Sequence, residues 1–137
     1  MLQIRSELEA SREDKECIVE MLRQFNRGFI ASPGWQNMAV AREAGTIAGV
    51  AVGEIGHGCL HIDSLVVRED LRGKGVGSEL LRVAEAEGRK QNCVGAYLET
   101  TDFQARGFYE RQGYHIFGTQ ENFPIGHTRY FMQKLFP

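Results

Sequence analysis

Apolar positions along the chain recur with two periods, and each change of period marks a boundary. Leu2 and Ile4 alternate with polar neighbours, the pattern of a short strand. Ser11 followed three residues later by Asp14 is an N-cap arrangement. Behind it Ile18, Met21, Leu22 and Phe25 recur at helical spacing, which predicts a first helix. The pattern dissolves at Gly28 and at Ser32-Pro33-Gly34, so residues 26–36 read as an irregular loop. Residues 38–44 and 46–55, rich in β-branched and small apolar side chains, read as a hairpin turning at Gly45. Gly56-His57-Gly58 supplies the next turn. A strand over 61–67 follows, polar at its start and apolar at its end, and runs into Arg72-Gly73-Lys74-Gly75-Val76-Gly77-Ser78.

From Ser78 the stripe Leu80, Leu81 and Ala84 predicts a helix, with Glu79 near its start and Arg89 and Lys90 near its end to complement the macrodipole. Residues 94–100 read as a strand, 104–112 as a short helix stopped by Gly113, and 114–118 and 129–136 as the last two strands. The order βα, antiparallel strands, then βαβ and αβ units gives an α+β fold on one mixed sheet. At 137 residues and 42% hydrophobic, the chain suits a single domain over 1–137, which must then hold every ligand in one body.

Charge and cysteine usage narrow the partners. Sixteen basic and 18 acidic side chains leave a formal charge of −2, so no global positive field draws nucleic acid or an anionic membrane. Cys17, Cys59 and Cys93 are odd in number and form no CxxC pair, which fits a reducing cytoplasm and neither a disulfide framework nor a thiolate zinc site. The first residues lack the apolar core of a signal peptide, and no stretch approaches the roughly 18 apolar residues of a membrane span. A soluble cytoplasmic protein is expected.

The glycine turn is the sharpest chemical signal. A helix N-terminus presents unpaired N–H groups and the positive end of the macrodipole, and glycines let an anion approach the backbone. Gly73, Gly75 and Gly77 lie at that junction. They do not make a Walker A loop, which requires four residues before a Gly-Lys pair followed by Ser or Thr. They also fall at every second position, unlike GxGxxG, and follow antiparallel strands instead of opening a parallel sheet. Nucleotide hydrolysis and nicotinamide binding are both disfavoured.

The turn resembles motif A of the GNAT superfamily, the Gcn5-related N-acetyltransferases: Arg or Gln, two residues, Gly, one residue, Gly or Ala, matched by Arg72, Gly75 and Gly77. Leu65, Val66 and Val67 resemble the end of that family's fourth strand, and Ala105, Phe108, Tyr109, Gly113 and Tyr114 its motif B, so the likeness spans about residues 38–136. The resemblance implies a sheet of six to seven strands, splayed between the family's fourth and fifth, with three to four flanking helices. It implies acetyl-CoA as cosubstrate, a primary amine of a small molecule as acceptor, direct attack in a ternary complex, no metal, and a homodimer. A protein N-terminus or lysine as acceptor, or a silent acyl-CoA-binding module, are the alternatives.

By that likeness the pantetheine arm pairs with backbone at Leu65, Val66 and Val67, and the amides of Arg72, Gly73, Lys74, Gly75, Val76, Gly77 and Ser78 hold the pyrophosphate, with Ala105 and Phe108 beside them. Arg68 and Lys74 are further cations that would gather at the phosphates. The family often has Asn three residues before the motif B alanine, where this chain has Asp102, so the hydrogen bond to CoA passes to Thr101 or Gln104.

Amine acetylation requires a base for the ammonium and an acid for the departing thiolate. Tyr109 stands where many relatives place a tyrosine beside the CoA sulfur, and is the expected general acid. Adjacent helical residues point about 100° apart, so of Phe108 and Tyr109 one faces inward and the other the cleft. His61 and Asp63, two apart on a strand, share a face and are base candidates, as is Glu54 at the end of the preceding strand. His57, Cys59, His61 and Asp63 alternate like a metal-binding face, but His57 sits in the turn and no fourth ligand at zinc spacing is evident. The 26–36 loop with Trp35 and the Phe123-Pro124-Ile125-Gly126-His127 loop are expected to line the amine pocket.

Overall fold

The structure is a computed structural model that describes residues 1–27 and 35–137, with backbone only for residues 35–37. Met1–Ser32 and Pro33–Pro137 are two compact units. In the first, helix α1 (Arg12–Asn26) starts where expected. The Ser11 hydroxyl accepts the Asp14 N–H at 3.0 Å and donates to the Asp14 carboxylate at 2.9 Å, which satisfies one orphan donor of the first turn. Residues 1–11 contain no strand, so the expected strand at Leu2 and Ile4 does not form. Two apolar alternations leave a row of backbone groups unpaired unless a second strand lies alongside, and the described residues of the unit contain none.

The second unit holds β1 (Trp35–Glu43), β2 (Thr46–Gly56), β3 (Cys59–Val67), α2 (Val76–Lys90), β4 (Gly95–Thr101), α3 (Arg106–Arg111), β5 (His115–Glu121) and β6 (Thr128–Leu135). A single 3-10 turn, Glu69–Leu71, precedes the glycine turn. The strands form one mixed sheet in the order β1-β2-β3-β4-β6-β5, with β3 and β4 parallel and the other pairs antiparallel. The sheet has six strands because the 2–4 segment contributes none. Trp35 and Gln36, expected in the loop, belong to β1; the rest of that loop from residue 28 lies outside the described residues. Two-residue turns with positive φ at Ala44 and Gly45, and at His57 and Gly58, close the first two hairpins in the sense that matches strand twist.

Helix α2 covers one face of the sheet with Leu80, Leu81 and Ala84, and packs on Leu60, Leu98 and Met132, which are fully buried. Among the described residues no helix is long and apolar enough to cross a membrane. One charged group enters this core. Glu85, 4% exposed, accepts from Lys134 at 2.8 Å and from the Tyr114 hydroxyl at 3.2 Å, so its charge is buried but paired.

The feature that positions the site lies midway along β3. Pairing with β4 covers only Leu60↔Ala96, His61↔Tyr97 and Ile62↔Leu98. On the other side Val52 opposes Ser64 and Gly53 opposes Ile62, which leaves Asp63 as a bulged extra residue. A bulge bends its strand and raises the local twist, so β3 leaves β4 at the residue after the last pair. Gly53 permits it, because a Cβ there would overlap the His61 carbonyl. Beyond the bulge, Leu65, Val66 and Val67 pair with β2 alone, and their other edge is open. The expected splay is present, between β3 and β4.

Candidate active site

Two cavities flank the splay. The first, about 520 Å³, lies between the open edge of β3 and the starts of α2 and α3. Leu65 and Val67 form one wall; Arg72, Gly73, Gly75, Gly77 and Ser78 form its floor, with Ala105 and Phe108 opposite. The backbone makes this floor an anion site. Gly73 and Gly75 have φ of +74° and +84°, a left-handed conformation that side chains resist. Gly75 caps α2 with no side-chain hydrogen bond, and the first helical bond comes from the Glu79 N–H to the Gly75 carbonyl at 3.1 Å. The amides of the first turn are thus left for a ligand. Gly77 lies against Phe108 and Val67, where an added Cβ would meet the Phe108 ring at 3.6 Å.

The expected cations divide. Arg72 lines the cleft and donates from Nε to the Val67 carbonyl at 3.0 Å. Arg68 is engaged elsewhere, with Asp70 at 2.6 Å and Glu43 at 3.2 Å. Lys74 and Val76 line a separate depression against Ala39 and Val83. Val66 is exposed and contributes backbone only. Arg111 and Gln112 line the cleft without having been anticipated, and Gln112 donates to Ser78 Oγ at 2.9 Å. Both lie on the C-terminal side of α3, and helical spacing from Phe108 brings them to its face.

The second cavity, about 370 Å³, is lined by His61 and Asp63 of β3, Glu99, Thr100 and Thr101 of β4, Phe103, Gln104, Pro124, and Arg129 of β6. His61 and Asp63 are brought together as expected, and His61 stacks on Tyr97 with ring centroids 4.5 Å apart. Glu54 is the cross-strand partner of His61 but lines a smaller cavity with His57 and Cys59, so His61 alone borders both. Thr101 and Gln104, expected beside CoA, line the second cavity and not the glycine-turn cleft; Gln104 Oε1 is occupied in accepting the Thr101 N–H at 3.0 Å. Glu99 and Arg129, hydrogen-bonded at 3.3 Å, were missed by sequence reasoning. The alternation of β4 puts Glu99 on the same face as Tyr97, but only the β4–β6 register brings Arg129 to it.

Asp102, the departure from motif B, does not line this cavity and is bound into the structure beside it. Its carboxylate accepts the Thr128 N–H at 3.0 Å and bonds His127 Nδ1 at 2.8 Å. The Thr128 amide above all, helped by His127, holds Asp102 below the usual aspartate range. Phe103 meets the His127 ring edge-on at 4.7 Å, and Arg129 lies over the Phe123 ring at 4.0 Å. One carboxylate therefore ties the 122–127 loop, and with it Pro124, to the end of β4. The Trp35 side chain lies outside the described residues.

Tyr109 and Phe108 divide in the opposite sense to the catalytic assignment, with Phe108 on the cleft and the Tyr109 ring in the core, 7% exposed. Burial pushes the Tyr109 phenol up to about 12. Its hydroxyl makes no hydrogen bond among the described residues, whereas that of Tyr114 reaches Glu85. Yet the fully enclosed side-chain polar atoms without a partner are Thr101 Oγ1 and Arg129 Nε. The Tyr109 oxygen is therefore neither bonded nor sealed off.

The site thus combines a glycine turn at a helix start, an open strand edge and a polar cavity beyond the same splay. Residues 2–114 match the model of the Acetyltransferase (GNAT) family, and the chain belongs to that family. It is an acyl-CoA-dependent N-acyltransferase. Over 93 residues it is 42% identical to the blasticidin-S acetyltransferase of Streptomyces morookaense, covering 67% of this chain and 68% of that one. It is 33% identical over 100 residues to acetyltransferase Atu2258 of Agrobacterium fabrum, covering 73% of each. The crystal structure of an acetyltransferase from Bacillus cereus superposes with a TM-score of 0.78 at 31% identity, covering 96% of this chain and 98% of that one.

Proposed function

We propose that the protein moves an acetyl group from acetyl-CoA to a primary amine of a small molecule, by direct attack within a ternary complex. The observation that carries this reading is the placing of two cavities on either side of one splay. Asp63 and Leu65 are two residues apart on β3, Gln104 and Ala105 are neighbours, and each pair contributes one residue to either cavity. The glycine-turn cleft fits acetyl-CoA. The open edge at Leu65 and Val67 accepts an amide-bearing arm as an added strand, and the amides of Gly73 to Ser78 receive a pyrophosphate. The kinship with a blasticidin-S acetyltransferase supports a small-molecule acceptor.

In this reading Asp63 draws the ammonium in, and the His61 imidazole takes its proton directly or through water, with Glu54 across the strand. Tyr109 serves the thiolate as a hydrogen-bond donor. With its phenol pushed up to about 12, full proton transfer to a thiolate of pKa near 8.5 is uphill, while the proton stays in place across the neutral range.

The test is incubation of the full chain with acetyl-CoA and a panel of small amines, aminonucleosides and peptides, following free thiol. Amine-dependent release with a small-molecule amine supports the reading. Release only with peptides moves the acceptor to proteins, and tight acetyl-CoA binding without release for any amine overturns the reading.

A further inference from the structure

We propose that the second cavity selects an amine that also carries a carboxylate, and that Arg129 and Thr101 read this second group. The inference rests on taking that cavity as the acceptor site. Of the described buried side-chain polar atoms, Thr101 Oγ1 and Arg129 Nε lack a hydrogen-bond partner. They belong to residues directly opposite each other on β4 and β6, and both residues line the same cavity. Thr101 is 5% exposed.

Elsewhere the protein satisfies what it buries. Glu85 is met by Tyr114 and Lys134, and Thr100 Oγ1 accepts the Ala105 N–H at 3.3 Å. A buried donor left unmade carries a desolvation cost, so two of them side by side at a cavity mark a place where a ligand supplies the acceptor. Arg Nε has only a proton to give, and a threonine hydroxyl is free to give its own. Two donors and a permanent positive charge match a carboxylate. Glu99 takes Nη1 of the guanidinium at 3.3 Å and leaves Nε. The Phe123 ring, 45% exposed, covers the guanidinium at 4.0 Å, and the proposal has this loop side chain give way to the carboxylate.

The same cavity has an acidic end. The Asp63 carboxylate is met, among the described residues, by the adjacent Ser64 hydroxyl at 3.0 Å, and it stands next to His61 in the lining. An ammonium there and a carboxylate at Arg129 place a zwitterion across the cavity, with its amine at the end nearer the splay.

The experiment compares matched amines with and without a carboxylate, lysine against 1,5-diaminopentane and 4-aminobutyrate against butylamine, as kcat/KM at saturating acetyl-CoA. For any pair that is not turned over, the comparison is read as Ki against an amine of the panel that is. The carboxylate-bearing member is expected to be favoured about tenfold or more. Arg129→Gln and Thr101→Val are each expected to lower its kcat/KM about tenfold while changing the other member less than twofold, with Arg129→Lys retaining part of the preference. Acetyl-CoA affinity and melting temperature, unchanged in Thr101→Val, separate recognition from folding. No preference in the unmodified protein, or equal losses for both members, overturns the proposal. Failure of the acceptor-site reading looks different: Asp63→Asn and His61→Gln would then leave turnover of every amine unchanged.

Discussion

The two cavities are built from different materials. The glycine-turn cleft is a backbone site, in which positive φ at Gly73 and Gly75, an uncapped helix start and an unpaired strand edge are what the proposed function offers to the cofactor. The cavity beyond the splay is a side-chain site, assembled from β3, β4, β6 and two loops, with Asp63, Glu99 and Arg129 as its charges. A backbone site recognises a ligand part that every catalytic cycle shares, and it tolerates change in most side chains around it. A side-chain site is re-specified by each substitution. The difference teaches where cofactor use is fixed and where acceptor choice is free to drift.

The largest effect should come from Tyr109, which the proposed function gives to the departing thiolate although its ring lies in the core and lines neither cavity. Tyr109→Phe is expected to lower kcat about 10²-fold, with acetyl-CoA affinity and amine KM within twofold, in steady-state and equilibrium-binding measurements. An unaltered kcat would leave Tyr109 as core packing alone and remove it from the mechanism. Next is a change aimed only at the backbone site. A Cβ at Gly75 meets nothing within 4 Å, so Gly75→Val acts through its φ of +84°. The roughly 1–2 kcal/mol this costs should weaken acetyl-CoA binding about tenfold by calorimetry without moving the amine KM. A matching loss on the amine side would show that the sites are not separable.

The complementary change is Asp102→Ala, which frees the 122–127 loop. It should raise the amine KM about fivefold and leave acetyl-CoA affinity within twofold. If acetyl-CoA affinity falls instead, position 102 serves the cofactor, as the family's asparagine does. The smallest expected effect is one of pH. Asp102 is held below the usual aspartate range, so its ties to Thr128 and His127 are complete above pH near 4 and are lost only as pH falls through that lowered value. The amine KM of the native protein and of Asp102→Asn, measured from pH 5 to 8, should therefore run parallel.

The same contrast explains what was legible in the sequence. Glycine spacing, a strand ahead of it and helical periodicity behind it are local, so the glycine-turn cleft and most of the sheet were readable; the helix starts at Val76, two residues before Ser78, from which the stripe was read. The strand at Leu2 and Ile4 was misread because alternation reports a preference and says nothing of a partner. Thr101 and Gln104 were assigned to the cofactor because family position was followed where the rotation at the end of β4 decides the facing. Arg129 and Glu99 are 30 residues apart and meet only through the β4–β6 register, and no local pattern carries that. Phe108 and Tyr109 show the limit of helical periodicity, which says that the two diverge but not which one turns inward.

The single extra residue at Asp63 is a phase shift in the alternation of β3. Before it, His61 turns toward the acceptor cavity while Leu60 and Ile62 are buried under α2; after it, Leu65 and Val67 turn toward the cofactor. One strand thereby serves as two half-strands out of step, and odd-numbered positions change sides at the very residue where β4 departs. Under the proposed function, amine and cofactor would approach from opposite surfaces of one sheet and meet at its slit. Under that reading neither would block the other's way in, and substitutions before the bulge would leave the half of β3 beyond it in register with β2.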